Sequence, residues 1–355
     1  MSWQNKLRQV EPYVAGEQPK IVNMIKLNTN ENPYGPTEKI KEVLQNLNED
    51  KLKLYPNSDG EDLRHALAKY HGLNDKQVFL GNGSDEVLAL SFLTFFNGKE
   101  PILFPDISYS FYPVYCDLYQ MAFEQVSLRE DFTIDIKDYQ KPNSGIIFPN
   151  PNAPTGLLLG LTAIEEVVKN NPNSIVIIDE AYIDFGGETC VPLIKKYDNL
   201  VVIQTFSKSR SFAGARLGVA LGSEEAISHL YDVKNSFNSY PIDYITQQVA
   251  LASVLDSQDM KKKCQMIIST RERTKTKLKE LGFIVPDSYA NFVFVKHPQI
   301  DGEELFLALR KVGIIVRHWN KPRIDQYLRI TIGTDEQMDR LFAFLENYIH
   351  EKSNG

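Results

Sequence analysis

The sequence has few cysteines and no paired pattern of metal-ligating residues. Its three cysteines, Cys116, Cys190 and Cys264, lie far apart, and its six histidines form no paired motif. A disulfide framework uses an even number of cysteines, and a structural zinc site uses closely spaced Cys or His pairs. The sequence therefore predicts no disulfide scaffold and no metal site, and it favours a reducing, cytoplasmic location.

Long apolar runs and an excess of positive charge are also missing. No stretch approaches the roughly 18 apolar residues of a membrane span, and residues 1–10 lack the apolar core of a signal peptide. The formal net charge of -7 argues against binding to nucleic acid or to anionic membranes. We therefore expect no export, no membrane anchor and no nucleic-acid partner.

The chain does contain a regular alternation of strand and helix patterns. Its 355 residues, 43% of them hydrophobic, are enough for two domains or one elaborated α/β domain. Short apolar runs separated by helical patterns occur at residues 77–80, 101–104, 145–148, 174–178 and 200–203. Strands joined by helical connections predict a mostly parallel sheet with right-handed crossovers.

Three segments follow from this alternation. Residues 41–255 are predicted to form a large α/β domain, and residues 256–355 a smaller one. Within the smaller domain, the patterns predict helices at 260–281 and 303–312 and strands at 291–295, 314–316 and 328–332. Residues 1–40 are rich in turn formers and are predicted to make an arm or strap associated with the small domain.

Lys208 is the most informative single residue, because it follows the buried-strand pattern of residues 200–203. Ligands of open α/β sheets gather at the carboxyl ends of strands. A lysine attacks a carbonyl only when its amine is neutral, and nearby positive charge from Arg216 would favour that form while binding an anion. Taken alone, the pair Ser207 and Lys208 is also typical of a solvated loop.

Two loops at other predicted strand ends carry polar residues. Gly81–Glu86 opens a helix, so its backbone N–H groups suit a phosphate; an ordinary N-cap by Ser84 or Asp85 is the alternative. Pro149–Gly156 is rich in proline, which restricts the backbone and would hold Asn152 in one pose. A plain connecting turn is the alternative for this second loop.

Charged residues occupy three further predicted strand positions. Asp179 ends an apolar run and should be buried, which is costly without a cationic partner. That partner is either a protonated pyridine nitrogen or a structural arginine. Arg317 and Arg329 offer guanidinium groups suited to carboxylate or phosphate, or to ordinary ion pairs.

The order of these motifs resembles the fold-type I pyridoxal-phosphate enzymes, specifically the class I and II aminotransferases, over nearly the whole chain. Within that group the chain is similar to the histidinol-phosphate aminotransferase family. The motifs that carry the resemblance are Glu11–Tyr13, Leu27–Gly35, Leu54–Gly60 and Leu328–Thr334. The resemblance implies a large domain with a mostly parallel sheet, a smaller C-terminal α/β domain, pyridoxal 5′-phosphate as cofactor, and a homodimer with a shared active site.

The resemblance also implies a role for each candidate residue. Lys208 would form the Schiff base with the cofactor and move the proton at the substrate, and Asp179 would pair with the pyridine nitrogen. The other implied cofactor contacts are Asn152 and Tyr182 at the ring oxygen, Ser207, Arg216 and the backbone of Gly83, Ser84 and Asp85 at the phosphate, Tyr109 stacked on the ring with Phe111 and Tyr112 close by, and Tyr55 from the neighbouring subunit. The implied substrate contacts are Tyr13, Asn152, Arg317 and Arg329.

The implied reaction is transfer of an amino group from glutamate to imidazole-acetol phosphate, a step of histidine biosynthesis that yields histidinol phosphate and 2-oxoglutarate. Arg329, assisted by Arg317, would bind both the phosphate ester and the dicarboxylate. The alternatives are a phosphothreonine decarboxylase-like enzyme, an aminotransferase for aromatic or other amino acids, and a non-catalytic descendant. The last is disfavoured by the combination of Lys208, Asp179, Asn152, Tyr182 and Arg216, because a binding module does not need a Schiff-base lysine beside an electron-withdrawing carboxylate site.

Overall fold

The computed structural model describes residues 2–14, 16–19 and 23–354, without the side chains of residues 353 and 354; Met1, Ala15, residues 20–22 and Gly355 lie outside the described residues. The strands are β1 (Ile25–Lys26), β2 (Val78–Asn82), β3 (Ile102–Pro105), β4 (Phe123–Val126), β5 (Gly145–Pro149), β6 (Val176–Asp179), β7 (Leu200–Thr205), β8 (Leu217–Leu221), β9 (Phe292–Val295), β10 (Ile314–Ile315), β11 (Arg317–His318) and β12 (Leu328–Thr331). The α-helices are α1 (Glu38–Gln45), α2 (Glu61–His71), α3 (Gly83–Phe95), α4 (Phe111–Tyr119), α5 (Leu161–Asn170), α6 (Glu224–Phe237), α7 (Tyr244–Leu255), α8 (Ser257–Glu280), α9 (Gly302–Lys311) and α10 (Asp335–Asn354).

The large sheet has seven strands in the order β2-β8-β7-β6-β5-β3-β4. Strands β4, β3, β5, β6 and β7 pair in parallel, whereas β8 is antiparallel to both of its neighbours. Adjacent residues such as Val202 and Ile203 belong to two separate apolar clusters, one on each face of the sheet. Because both faces are covered, the strands are continuously apolar in sequence. The predicted α/β class with a mostly parallel sheet is confirmed.

The structure contains two strands of this sheet that the sequence patterns did not predict. The edge strand β4 carries exposed Glu124 and Gln125, so it lacks the continuous apolar pattern of its neighbours. Strand β8 starts at Leu217, directly after Arg216, in a segment for which the sequence patterns predicted no strand. Helix α3 begins at Gly83, directly after β2, so the loop expected before Asp85 is the first turn of the helix.

A smaller three-stranded antiparallel sheet has the order β11-β12-β9. Its apolar side chains pack with α8, α9 and α10 in a third cluster that also contains Leu27. Strand β1 pairs in parallel with β10, which joins this part of the N-terminal segment to the C-terminal part of the chain. The division at residues 40/41 and 255/256 stays a prediction.

Some features can be stated only for the described part of the chain. No helix there has the length and apolar character needed to cross a membrane. No group of three or more His, Cys, Asp or Glu side chains is arranged there to hold a metal ion. The three cysteines are free and buried.

Candidate active site

The carboxyl ends of β5, β6 and β7 meet the amino end of β8 at one edge of the large sheet. Because β8 is antiparallel, Gly218 lies opposite Thr205, and Leu217 lies opposite Asn82. The residue before β8, Arg216, is therefore brought to the same edge as Lys208. This chain reversal places a cation where the parallel strands end.

Two adjoining cavities lie at this edge. The inner cavity has a volume of about 220 Å³, and among its lining residues are Ser84, Asp179 and Ser207. The outer cavity has a volume of about 610 Å³, and among its lining residues are Tyr13, Arg317 and Arg329. The predicted site residues that line both cavities are Asp85, Tyr109, Tyr182, Lys208 and Arg216. Gly83, Asn152 and Tyr55 line neither.

Lys208 lies between the large sheet and the N-terminal segment. Its Nζ donates a hydrogen bond to the backbone oxygen of Thr29 at 3.2 Å and lies 5.8 Å from the ring centre of Tyr182. Asn32 Nδ2 donates to the backbone oxygens of Lys208 and Ser209, at 3.1 and 3.2 Å. The N-terminal segment therefore fixes both the backbone and the amine of this lysine.

Asp179, the last residue of β6, is 5% exposed. Tyr112 donates from Oη to Asp179 Oδ2 at 3.0 Å, and the backbone N–H of Ala181 donates to Oδ1 at 3.2 Å. Burial raises the pKa of Asp179 to about 6. Within the described residues, no arginine or lysine forms an ion pair with Asp179. The predicted alternative, a structural pairing with an arginine, is therefore wrong. This carboxylate remains available to a cation in the inner cavity.

The opposite end of the inner cavity is a set of donors suited to an anion. Helix α3 starts at Gly83, and no side chain of the described residues caps its first N–H groups. The structure therefore does not have the ordinary N-cap by Ser84 or Asp85 that was the alternative to a phosphate site. Arg216 Nη2 donates to Asp85 Oδ2 at 3.0 Å, and Ser207 is buried nearby. A Cβ atom on Gly83 would lie 2.5 Å from Arg216 Nη2, so this approach requires glycine.

Asn152 is buried beside the cavities, and its neighbour Ala153 lines both. Its Nδ2 donates to the backbone oxygen of Ile107 and to Thr155 Oγ1, each at 3.0 Å. Its Oδ1 is buried with no hydrogen-bond partner in the described chain. A buried acceptor of this kind is costly unless a donor reaches it, so a ligand hydroxyl is the complementary group.

Three tyrosines surround the boundary between the cavities, and only part of their arrangement was expected. Tyr182 Oη accepts a hydrogen bond from Asn30 Nδ2 at 2.9 Å. Tyr109 Oη donates to Asp85 Oδ1 at 2.8 Å, and burial together with that carboxylate raises the pKa of Tyr109. Tyr112 is fully buried against Asp179 rather than lining a cavity. Of Tyr109, Phe111 and Tyr112, Tyr109 is the one that lines both cavities.

Arg317 and Arg329 face each other in register on β11 and β12. Arg329 Nη2 donates to the backbone oxygen of Asn28 at 2.7 Å, while its Nε is buried without a partner. Burial lowers the pKa of Arg329. Neither guanidinium forms an ion pair with a carboxylate of the described residues. The outer cavity therefore has two cations whose remaining donors suit an anion.

The two predicted tyrosines outside the sheet edge lie in different environments. The Tyr13 ring stacks on Phe111 with centroids 4.5 Å apart and lines the outer cavity. Tyr55 is 83% exposed and stacks on Tyr240 with centroids 4.7 Å apart. Within one chain, Tyr55 therefore has no contact with either cavity.

Four residues with clear roles in this geometry were not identified as such from sequence. They are Thr29, whose carbonyl receives the lysine; Glu31, which lines the inner cavity and pairs with Lys26; Tyr112, which holds Asp179; and Trp319, which lines the outer cavity. Residues 28–36 were noted for their turn formers and as part of a motif of the resemblance, without a role for Thr29 or Glu31. Their polar side chains were the available signal.

Comparisons with known proteins show the family to which the chain belongs. The sequence profile of the family "Aminotransferase class I and II" matches residues 22–345. The chain is 61% identical to a histidinol-phosphate aminotransferase of Lactococcus lactis subsp. lactis (strain IL1403), over 98% of this chain and 97% of that one. The solved histidinol-phosphate aminotransferase of Clostridium acetobutylicum superposes with a TM-score of 0.85 at 26% identity, over 92% of this chain and 99% of that one. That of Sinorhizobium meliloti, in complex with pyridoxal-5′-phosphate, has a TM-score of 0.82 at 20% identity, over 92% and 90%.

Proposed function

The chain belongs to the class I and II aminotransferases and is a pyridoxal-phosphate-dependent transaminase, and from this premise we propose that it exchanges an amino group between glutamate and imidazole-acetol phosphate. The products are 2-oxoglutarate and histidinol phosphate, a step of histidine biosynthesis. The observation that carries the proposal is the pair Arg317 and Arg329, unneutralised and in the cavity that adjoins Lys208. Relatives of high identity named histidinol-phosphate aminotransferase support it.

The inner cavity and the buried residues beside it fit pyridoxal 5′-phosphate in three respects. Asp179 is a buried carboxylate without a cation, which matches a protonated ring nitrogen. The buried and unpartnered Asn152 Oδ1 matches a ring hydroxyl. Arg216, Ser207 and the uncapped start of α3 match the phosphate. Each part of the cofactor therefore has a complementary group.

When bound, pyridoxal phosphate supplies a carbonyl for attachment of the amine and a ring that withdraws electrons from the substrate Cα. Lys208 would hold the cofactor and move the proton at Cα, because its amine lines both cavities. Asp179 would keep the ring nitrogen protonated. Tyr182 and Tyr109 would orient the ring through its oxygen and its face.

Substrate binding would take place in the outer cavity. Arg329, assisted by Arg317, would bind the phosphate of histidinol phosphate in one half-reaction and a carboxylate of glutamate in the other. Guanidinium groups suit both anions, because their N–H donors match pairs of oxygens on each. Tyr13 and Asn152 complete the proposed substrate contacts.

The proposed enzyme is a homodimer that works in the cytoplasm. Tyr55 is exposed and stacks on Tyr240, and the residues Leu54 and Phe237, which are close to these two in sequence, are exposed and apolar as well. Such a patch is typical of a protein interface. In the proposed dimer, Tyr55 reaches the phosphate of the partner's cofactor. Three free, buried cysteines suit a reducing compartment.

An absorbance titration of the purified enzyme tests the proposed reaction. Histidinol phosphate and glutamate, added to separate samples, should each change the absorbance of the bound cofactor, and 2-oxoglutarate should reverse the change in either sample. A response to phenylalanine or tyrosine without one to histidinol phosphate would instead support the aromatic aminotransferase. Release of carbon dioxide from phosphothreonine without an oxo acid would support the decarboxylase.

A further inference from the structure

Trp319 lies one residue beyond β11 and contacts both arginines of the outer cavity. The guanidinium carbon Cζ of Arg317 lies 5.4 Å from the centre of the indole ring, and that of Arg329 lies 5.3 Å from it. Both distances are within the roughly 6 Å over which an aromatic face attracts a cation. A single aromatic side chain therefore interacts with both cations.

The arrangement of the two arginines explains why such a contact is needed. Arg317 and Arg329 are directly opposite on antiparallel strands, and like charges in that position repel. A carboxylate would relieve the repulsion, but it would occupy the same N–H donors that an anionic substrate needs. An indole face attracts both cations and leaves those donors free.

Packing fixes the ring in this position. Trp319 packs against an apolar cluster that includes Ile107, Phe132 and Ile324. The loop that follows is held by Arg323, which donates to Asp106 Oδ2 at 3.0 Å and to the backbone oxygen of Leu128 at 2.8 Å. The indole is therefore part of a fixed wall rather than a free side chain.

We propose that Trp319 is a positioning residue that holds Arg317 and Arg329 in the orientation that binds the anionic group of either substrate. The inference rests on the proposed function, because it takes a phosphate ester and a dicarboxylate as the two ligands. Trp319 acts through the arginines, so it contributes to substrate binding and not to proton transfer.

Steady-state kinetics of the holoenzyme separate this role from simple packing. Trp319→Leu removes the aromatic face but keeps an apolar side chain. The KM for histidinol phosphate and the KM for glutamate should each rise about tenfold, which corresponds to about 1.4 kcal/mol of binding free energy. The kcat should stay within about twofold of the wild-type value. Trp319→Phe should raise both KM values only about threefold. Phe306→Leu is the matched control, because Phe306 stacks on His318, the residue before Trp319, and its ring forms no cation–π contact with Arg317 or Arg329.

A fluorescence titration provides a readout other than activity. The sequence has two tryptophans, so Trp3→Phe leaves Trp319 as the single indole. Inorganic phosphate should change its emission saturably, and Arg329→Met should abolish that change. If phosphate competes with histidinol phosphate but leaves the emission unchanged, the indole does not report on the arginines and the inference is wrong.

The outcomes distinguish this inference from the proposed function. If Trp319→Leu leaves both KM values unchanged while Arg329→Met raises them, Trp319 has no positioning role but the proposed function stands. If the leucine variant raises KM only for histidinol phosphate, the indole contacts the imidazole ring, and the inference is also overturned. If neither variant affects either KM, the proposed substrate site itself is wrong.

Discussion

The inner and outer cavities are constructed in different ways. The inner cavity takes Asp179, Ser207, Lys208 and Arg216 from the ends of neighbouring strands in one hydrogen-bonded sheet. The outer cavity combines the N-terminal segment, a loop of the large sheet and the antiparallel pair β11 and β12. Strand pairing therefore brings the groups proposed for chemistry to one edge, where the N-terminal segment also holds the Lys208 amine. The cavity around the paired Arg317 and Arg329 instead depends on packing between several segments. Substrate preference can then change without altering the inner cavity.

Lys208→Ala should have the largest effect, because it removes the proposed proton carrier. We expect turnover in both half-reactions to fall by at least about 10⁴-fold. The absorbance of the lysine-bound cofactor should be lost as well. A variant that retains both the absorbance and the turnover would show that the inner cavity is not where the chemistry takes place.

Asp179→Asn should have the next largest effect, again on both substrates. Loss of the carboxylate at the ring nitrogen should lower kcat by about 10²- to 10³-fold, a range typical of a lost electrostatic contact in an active site. Cofactor affinity, measured by equilibrium dialysis, should fall less. An effect confined to one substrate would place Asp179 in substrate binding and weaken the contrast between the cavities.

Arg329→Met should affect binding more than turnover. Loss of charged hydrogen bonds worth about 1.5–3 kcal/mol should raise KM for histidinol phosphate and for glutamate by about 10- to 100-fold. Arg329→Lys keeps the charge but cannot form bidentate hydrogen bonds, so its KM values should lie between those of Arg329→Met and wild type. If kcat falls while KM stays constant, the outer cavity takes part in the chemistry.

Tyr55→Phe should have a smaller effect, because it removes one hydroxyl from the proposed partner site. Cofactor affinity should fall by about 3- to 10-fold, as expected for one hydrogen bond. Sedimentation velocity should show that the variant is still a dimer. A wild-type monomer in that experiment would exclude the proposed sharing of the site.

The pH dependence of stability tests the burial of Asp179 without substrate. Its pKa is raised from 3.8 to about 6 in the folded state, so the folded protein binds more protons than the unfolded chain between these values. Stability from this group is therefore lost as pH rises from about 4 to about 6, by about 3 kcal/mol. Urea titrations of cofactor-free protein should show Asp179→Asn gaining stability relative to wild type at pH 8, keeping about half of that advantage near pH 5, and losing it below about pH 4. A pH-independent difference would contradict this account.

The sequence was more informative about the inner cavity than about the outer one. The apolar runs before Lys208 and Asp179 predicted their strands, because both faces of those strands are buried. The sequence could not show that Tyr112 would contact Asp179, since 67 residues separate them. Trp319 carried no signal, because its contact with the arginines arises only when the small sheet and its following loop are assembled.

The contrast between Asp179 and Glu180 illustrates the same limit. Both are buried carboxylates at the end of β6 and look alike in sequence. Glu180 accepts hydrogen bonds from Thr189, from the backbone N–H of Cys190 and from Gln204, at 2.6, 2.7 and 2.9 Å. Its lone pairs are satisfied by the protein, whereas Asp179 faces the inner cavity. Only the direction of each side chain separates a structural acid from a proposed functional one.

The antiparallel strand β8 also has a consequence for how the protein folds. Its pairing joins Val78 to Leu221, so the phosphate end of the inner cavity is closed by contacts between distant parts of the chain. Such non-local contacts are slow to form, because the intervening chain must be ordered first. During synthesis, a nascent chain that ends before residue 217 has no strand β8 to hold Arg216 at the edge of the sheet. We therefore expect such a chain to have little affinity for the cofactor. Acquisition of the cofactor would then mark completion of the large sheet.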